Sequence, residues 1–199
     1  MREIAPSYQS SLVASREKPD PHPTERTVGL RELFEAHGAY VWKALRRLGV
    51  PHADLEDLAH DVFVAVQRHL GDYDPKRPVR PWLFGFAFRV ASEHRRRAHR
   101  RYETLGENPE QAPDPAPPAD EKIAREQDRR LVVRALEAVE LPRRAVFVLY
   151  EIDGEPMSEI ATSLGIPLGT AYSRLRLARE EFAAAVKRLQ PDGRNGRTG

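Results

Sequence analysis

Three groups of residues have types and spacing that could do chemistry. Thr170, Ser173, Arg174, Arg176 and Arg179 lie on the polar side of one apolar-periodic stretch, and their hydroxyls and guanidiniums suit phosphates or base edges in a major groove. Arg95 to Arg101 reads RRRAHRR, with Glu93 as its one nearby acid. This run extends a segment carrying Trp82, Phe84, Phe86 and Phe88, and aromatic-plus-arginine surface is what unstacked single-stranded bases bind. Aromatics at every second position of a helix cannot all face one core. Some must be exposed or lie at an interface; core packing is the reading for Trp82 and Phe86, while Phe84 and Phe88 are left undecided.

The third group is acidic: Asp54, Glu56, Asp57 and Asp61, with His60 among them. Acids near a helix start favour the helix dipole, and a docking face for a basic protein surface is the sharper alternative. Asp57, His60 and Asp61 share a helix face, yet the second Glu-x-x-His helix that a carboxylate-bridged metal site requires is missing. With no cysteine in 199 residues, disulfides and thiolate chemistry are excluded. No catalytic residue, metal ligand or cofactor is assigned.

The elements that must position these groups read as helices throughout. Leu30, Leu33, Phe34, Val41, Leu45 and Leu48 step by three, four or seven, until Gly49 and Pro51 stop the helix. A second helix carries Leu55 to Leu70, with Asp54 as N-cap and Gly71 at its end. A third runs from about Trp82 to Arg97. Later come a helix over Ile123 to Val139, one over Ala145 to Ile152 entered through Pro142 and broken by Asp153-Gly154, a short one over Met157 to Leu164, and a longer one from Pro167 to about Leu189. The stretch SEIATSLGIPLGTAYSRL (Ser158 to Leu175) has the small Ala161 and the turn Gly165 of a helix-turn-helix. An ordinary hairpin with a solvated basic face is the plainer alternative.

Proline divides the chain. Nine of 17 prolines fall in two segments, Met1 to Thr27 and Glu103 to Asp120, and the second also holds five acids and no base. The expectation is an all-α protein. It comprises a disordered extension (1–27), a helical domain (28–102), a flexible acidic linker (103–120), a helix-turn-helix domain (121–190) and a disordered tail (191–199). The polar start and the lack of any run near 20 apolar residues argue against a signal peptide or membrane span, so cytoplasmic localisation is expected.

Taken together these pieces resemble a bacterial RNA polymerase sigma factor of the extracytoplasmic-function (ECF) class, over about Leu30 to Arg101 and Ile123 to Leu189. DLEDLAHDVFVAV (Asp54 to Val66) is similar to the family's polymerase-docking helix, which implies that Asp54, Asp57 and Asp61 face core RNA polymerase. RPWLFGFAFRVASEHRRRAHRR (Arg80 to Arg101) resembles the helix that holds the melted minus-ten strand, and GDYDPKRPV (Gly71 to Val79) the loop that receives a flipped base. The resemblance implies minus-ten contacts by Tyr73, Lys76, Arg80, Arg89, Arg95, Arg96 and Arg97. Arg89 and Glu93 stand where the family commonly has Asn and Asp. Leu141 to Phe182 resembles the minus-thirty-five domain, with Thr170, Ser173, Arg174, Arg176 and Arg179 on DNA and Tyr172 at a position often basic. The resemblance implies a protein that is not itself an enzyme, with core polymerase and promoter DNA as partners and an anti-sigma factor as a possible third. A stand-alone helix-turn-helix regulator with a helical sensor domain is the alternative function, and it predicts DNA binding by the protein alone, usually as a dimer.

Overall fold

The computed structural model describes residues 29–105 and 122–190, and every regular element among them is helical. The extension, most of the acidic linker and the tail expected from the sequence lie outside the described residues.

Helix α1 (Leu30–Arg47) buries Leu33, Val41, Ala44 and Leu45 on one stripe. It ends where Gly49 takes φ 90° and the amides of Gly49 and Val50 turn back to the carbonyls of Arg46 and Leu45. Helix α2 (Leu55–Arg68) follows a 3-10 turn over His52–Asp54. Asp54 makes no side-chain cap; its carboxylate instead meets His94 Nε2 at 3.1 Å, tying the start of α2 to helix α3. Nor does Gly71 end α2 with a left-handed residue. His69 closes the helix and Gly71 lies inside a second 3-10 turn, Leu70–Asp72.

Helix α3 (Val79–Leu105) is longer at both ends than its apolar pattern predicts. Pro81 sits in its first turn, where a missing N–H is harmless. Leu83, Phe84, Phe86 and Ala87 are all buried, because α3 packs against α1, α2 and also α6. That sandwich places Phe84, undecided from the sequence, fully in the core, while Trp82, read as a core residue, is only partly buried, as is Phe88.

The second half contains α4 (Lys122–Glu137), α5 (Leu141–Phe147), α6 (Met157–Leu164) and α7 (Leu168–Leu189). Pro142 stands at the start of α5, which widens into a π turn over Val148–Ile152 before Gly154 (φ 74°) breaks it. Helices α6 and α7 meet at Gly165, with φ 64° and the Ile166 amide bonded to the Ala161 carbonyl at 2.9 Å. This is the helix-turn-helix read from the sequence.

The two halves share one continuous buried cluster, from Leu33 of α1 to Ala178 of α7. At its seam a Cβ on Gly85 of α3 would lie 2.5 Å from the Ser163 carbonyl oxygen of α6, so only glycine permits that approach.

Candidate nucleic-acid interface

Helix α3 and the turn before it build an aromatic array. Tyr73 lies against Trp82 with ring centroids 4.7 Å apart, Trp82 meets Phe86 edge-on at 5.1 Å, and His69 approaches Phe86 at 5.6 Å. Arg89 closes the array, its guanidinium 4.4 Å from the Phe86 ring centre. Partial burial lowers the Arg89 pKa, and burial followed by Asp74 raises that of Tyr73. The Tyr73 hydroxyl donates to the Arg77 carbonyl at 2.9 Å, which fixes the ring against the loop. Lys76 is exposed in that loop, whose turn is held by its amide donating to Asp74 Oδ1.

The other predicted minus-ten residues part company. Arg80 lies over the Tyr40 ring of α1 at 5.6 Å. Arg96 and Arg97 both pair with Glu93, together with Arg100, and of these Arg96 first and then Arg100 hold the Glu93 carboxyl below its ordinary pKa. Glu93 therefore organises the basic run, a role its lone acidic sign hinted at. Arg95 is exposed but close enough to Arg144 to disfavour that residue's charge.

On α2, Asp57 and Asp61 are exposed one turn apart, whereas Asp54 is turned toward His94 of α3. Among the described residues no group of three or more His, Asp or Glu side chains is arranged to hold a metal ion.

On α7, Arg174 is partly exposed and Thr170 partly buried. Ser173 donates its hydroxyl to the Thr170 carbonyl, Arg176 pairs with Glu180 at 2.7 Å, and Arg179 reaches Glu151 at 2.6 Å across the turn after α5. Leu168, which pattern reading missed, and Tyr172 are 48% and 56% exposed, large apolar groups one turn apart at the start of the second helix.

Residues 33–101 match the Sigma-70 region 2 family and residues 129–182 match Sigma-70 region 4. The ECF RNA polymerase sigma factor SigL of Mycobacterium tuberculosis is 31% identical over 163 residues, covering 80% of this chain and 90% of that protein. The chain belongs to the ECF RNA polymerase sigma factors. The sigma factor CnrH of Cupriavidus metallidurans is 30% identical across 78% of this chain and 85% of its own length. The solved structure of CnrH in complex with the cytosolic domain of CnrY aligns at TM-score 0.56 and 28% identity, over 81% of this chain and 89% of that one. RpoE in complex with the anti-sigma factor NepR from Bartonella quintana shares the fold, at TM-score 0.63 and 20% identity, over 79% of this chain and 96% of that one.

This sigma factor binds core RNA polymerase and directs it to promoters for transcription initiation, and the stand-alone regulator is not favoured. Its matched regions coincide with the two halves of the fold: α1 to α3 in region 2 and α4 to α7 in region 4. No described helix is long and apolar enough to cross a membrane.

Proposed function

We propose that in this sigma factor residues 28–102 form the polymerase-docking and minus-ten domain, and residues 121–190 the minus-thirty-five domain. The observation that carries this reading is the pairing, in one chain, of a ring-and-arginine array on α3 with a basic helix-turn-helix. Asp57 and Asp61 on the outer side of α2 meet a basic surface of core polymerase, and Asp54 positions α2 against α3 through His94.

Unpaired minus-ten bases stack on the partly exposed Tyr73 and Trp82 rings, which the buried Phe86 backs, while Lys76, Arg80, Arg89 and Arg95 to Arg97 neutralise phosphates. Capture recovers the few kcal/mol that unstacking costs. In region 4, α7 enters the major groove with Arg174 on a base edge and Thr170, Ser173, Arg176 and Arg179 beside it. Leu168 and Tyr172 add apolar contact of the kind that meets a thymine methyl. The protein performs no catalysis of its own, acts in the cytoplasm, and is held inactive by an anti-sigma partner, as the complexes of CnrH and RpoE suggest.

The test is reconstituted transcription. Core polymerase plus this protein should give transcripts from promoters enriched by selection on the holoenzyme, and Arg174→Ala should shift sequence preference at one minus-thirty-five position. A holoenzyme that forms but starts transcripts without promoter preference overturns the assignment.

A further inference from the structure

Between the two halves lies a polar seam that neither matched region explains. On the region 2 side stand Tyr40 and Arg47 of α1, Arg77 of the loop before α3, and Arg80 in the first turn of α3. Facing them, the turn between α5 and α6 carries Asp153 and Glu155, with Glu159 in the first turn of α6. Asp153, its side chain only 7% exposed, accepts from the Tyr40 hydroxyl at 2.8 Å and from Arg47 Nη1 at 2.9 Å. Arg77 donates through Nη2 and Nε to one oxygen of Glu159, at 2.7 and 3.2 Å. Glu155 lies near both other carboxylates and near Arg80. Three carboxylates crowded within seven residues repel one another, and the arginines opposite offset that repulsion.

We propose that Tyr40, Arg47, Arg77 and Arg80 form a phosphate-binding strip for promoter DNA, and that Asp153, Glu155 and Glu159 occupy it as an internal stand-in for the DNA backbone. Charge and geometry support this occupant. Arginine forks bind carboxylate and phosphate oxygens with the same donors, and a tyrosine hydroxyl donates equally well to either. The strip continues from Arg77 into the loop whose Tyr73 begins the aromatic array, so a strand stacked there carries its phosphates past it.

Scale explains how the mask leaves. A globule of about 150 residues is about 40 Å across, whereas elements about 25 base pairs apart are separated by about 85 Å of B-form DNA. The closed molecule cannot occupy both. When the halves separate onto the two elements, the acidic turn departs with region 4 and uncovers the arginines beside the DNA. The promoter part of this inference rests on the placement of the two domains proposed above; the masking itself is testable in the free protein.

The experiment measures binding of the full-length protein to a short random-sequence duplex across a salt series. Asp153→Asn, Glu155→Gln and Glu159→Gln together remove the mask, and Glu32→Gln, Glu56→Gln and Glu137→Gln together are the control of equal charge. The unmasked variant should bind at least about tenfold more tightly at low salt than the control, with a log–log salt slope steeper by about 2 to 3, one for each phosphate gained. Adding Arg47→Gln and Arg77→Gln should cancel that gain, while the same pair in the masked protein should change little. A control that matches the unmasked variant, or a gain that survives loss of the arginines, overturns the proposal.

If circular dichroism shows the unmasked variant unfolded, the holoenzyme carrying only Arg47→Gln and Arg77→Gln decides. Its promoter complex should show a salt slope shallower by about 2 with unchanged sequence preference. An unchanged slope overturns the strip. Random initiation by the unaltered holoenzyme is the separate failure of the domain placement.

Discussion

Arg144 is the one charged residue fully buried among the described residues, at 3% exposure, and each of its three guanidinium nitrogens donates to a backbone carbonyl. Nε and Nη2 bond the Val139 carbonyl, Nη2 also the Glu137 carbonyl, and Nη1 crosses to the Leu48 carbonyl at 2.8 Å. Burial first, then Arg95, lowers its pKa to about 10, so it stays cationic at neutral pH and its carbonyl bonds stay charge-assisted. The Gly49 backbone makes room for this guanidinium. A Cβ there would collide with Nη1, and at φ 90° any side chain is strained besides. Gly49→Ala should therefore destabilise the protein by at least about 2 kcal/mol, since a left-handed non-glycine residue alone costs about 1–2 kcal/mol. Gly38, inside α1 with nothing within 4 Å of its missing Cβ, is the contrast: Gly38→Ala should stabilise by about 0.5–1 kcal/mol. Urea denaturation of both variants separates the two effects by their opposite signs. The Gly49 turn was legible from its place before Pro51. Its dependence on a residue 95 positions later was not, because no local pattern records a non-local contact.

At the scale of single helices, the polar side of α2 is where charge can be reversed without disturbing packing. Its apolar side buries Leu55, Leu58, Val62, Phe63 and Val66, while Asp57 and Asp61 point away from them. Asp57→Lys with Asp61→Lys should abolish co-purification with core polymerase, because like charges set against each other at an interface cost several kcal/mol. Folding should change by only about 0.3–1 kcal/mol, the unfavourable dipole of a cation in the first turn. A folded double variant, by circular dichroism melting, that still binds polymerase with wild-type affinity would make this side ordinary solvated surface. Helix existence and type were readable from 3.6-residue periodicity, including the crossing of α6 and α7 at Gly165. Two local details were not. Asp54 looks like a cap in sequence, but a cross-helix partner, His94, claims its carboxylate. The π turn at Val148–Ile152 leaves the apolar pattern of Val146, Val148 and Leu149 unchanged, so the sequence reads one plain helix there.

Across the whole molecule, the sequence showed two apolar-periodic halves separated by an acidic, proline-rich stretch, and that composition says nothing about whether the halves touch. Partners 82 to 113 positions apart hold the seam: Arg77 with Glu159, Arg47 with Asp153, Tyr40 with Asp153. If the shared cluster behaves as one cooperative unit, damage to region 4 must be felt in region 2. Both tryptophans, Trp42 and Trp82, lie in region 2, so their fluorescence reports that half alone while far-ultraviolet circular dichroism reports both. Ile160, fully buried in α6, is the probe. Ile160→Ala should cost about 2–4 kcal/mol through lost burial and the cavity left behind. For a protein of this size that lowers the midpoint by about 5–10 °C. A cooperative closed molecule predicts the same displacement in both signals, with coincident transitions before and after the substitution. A tryptophan midpoint that stays in place while circular dichroism splits into two steps would mean that the halves unfold independently and that the seam contributes little to stability.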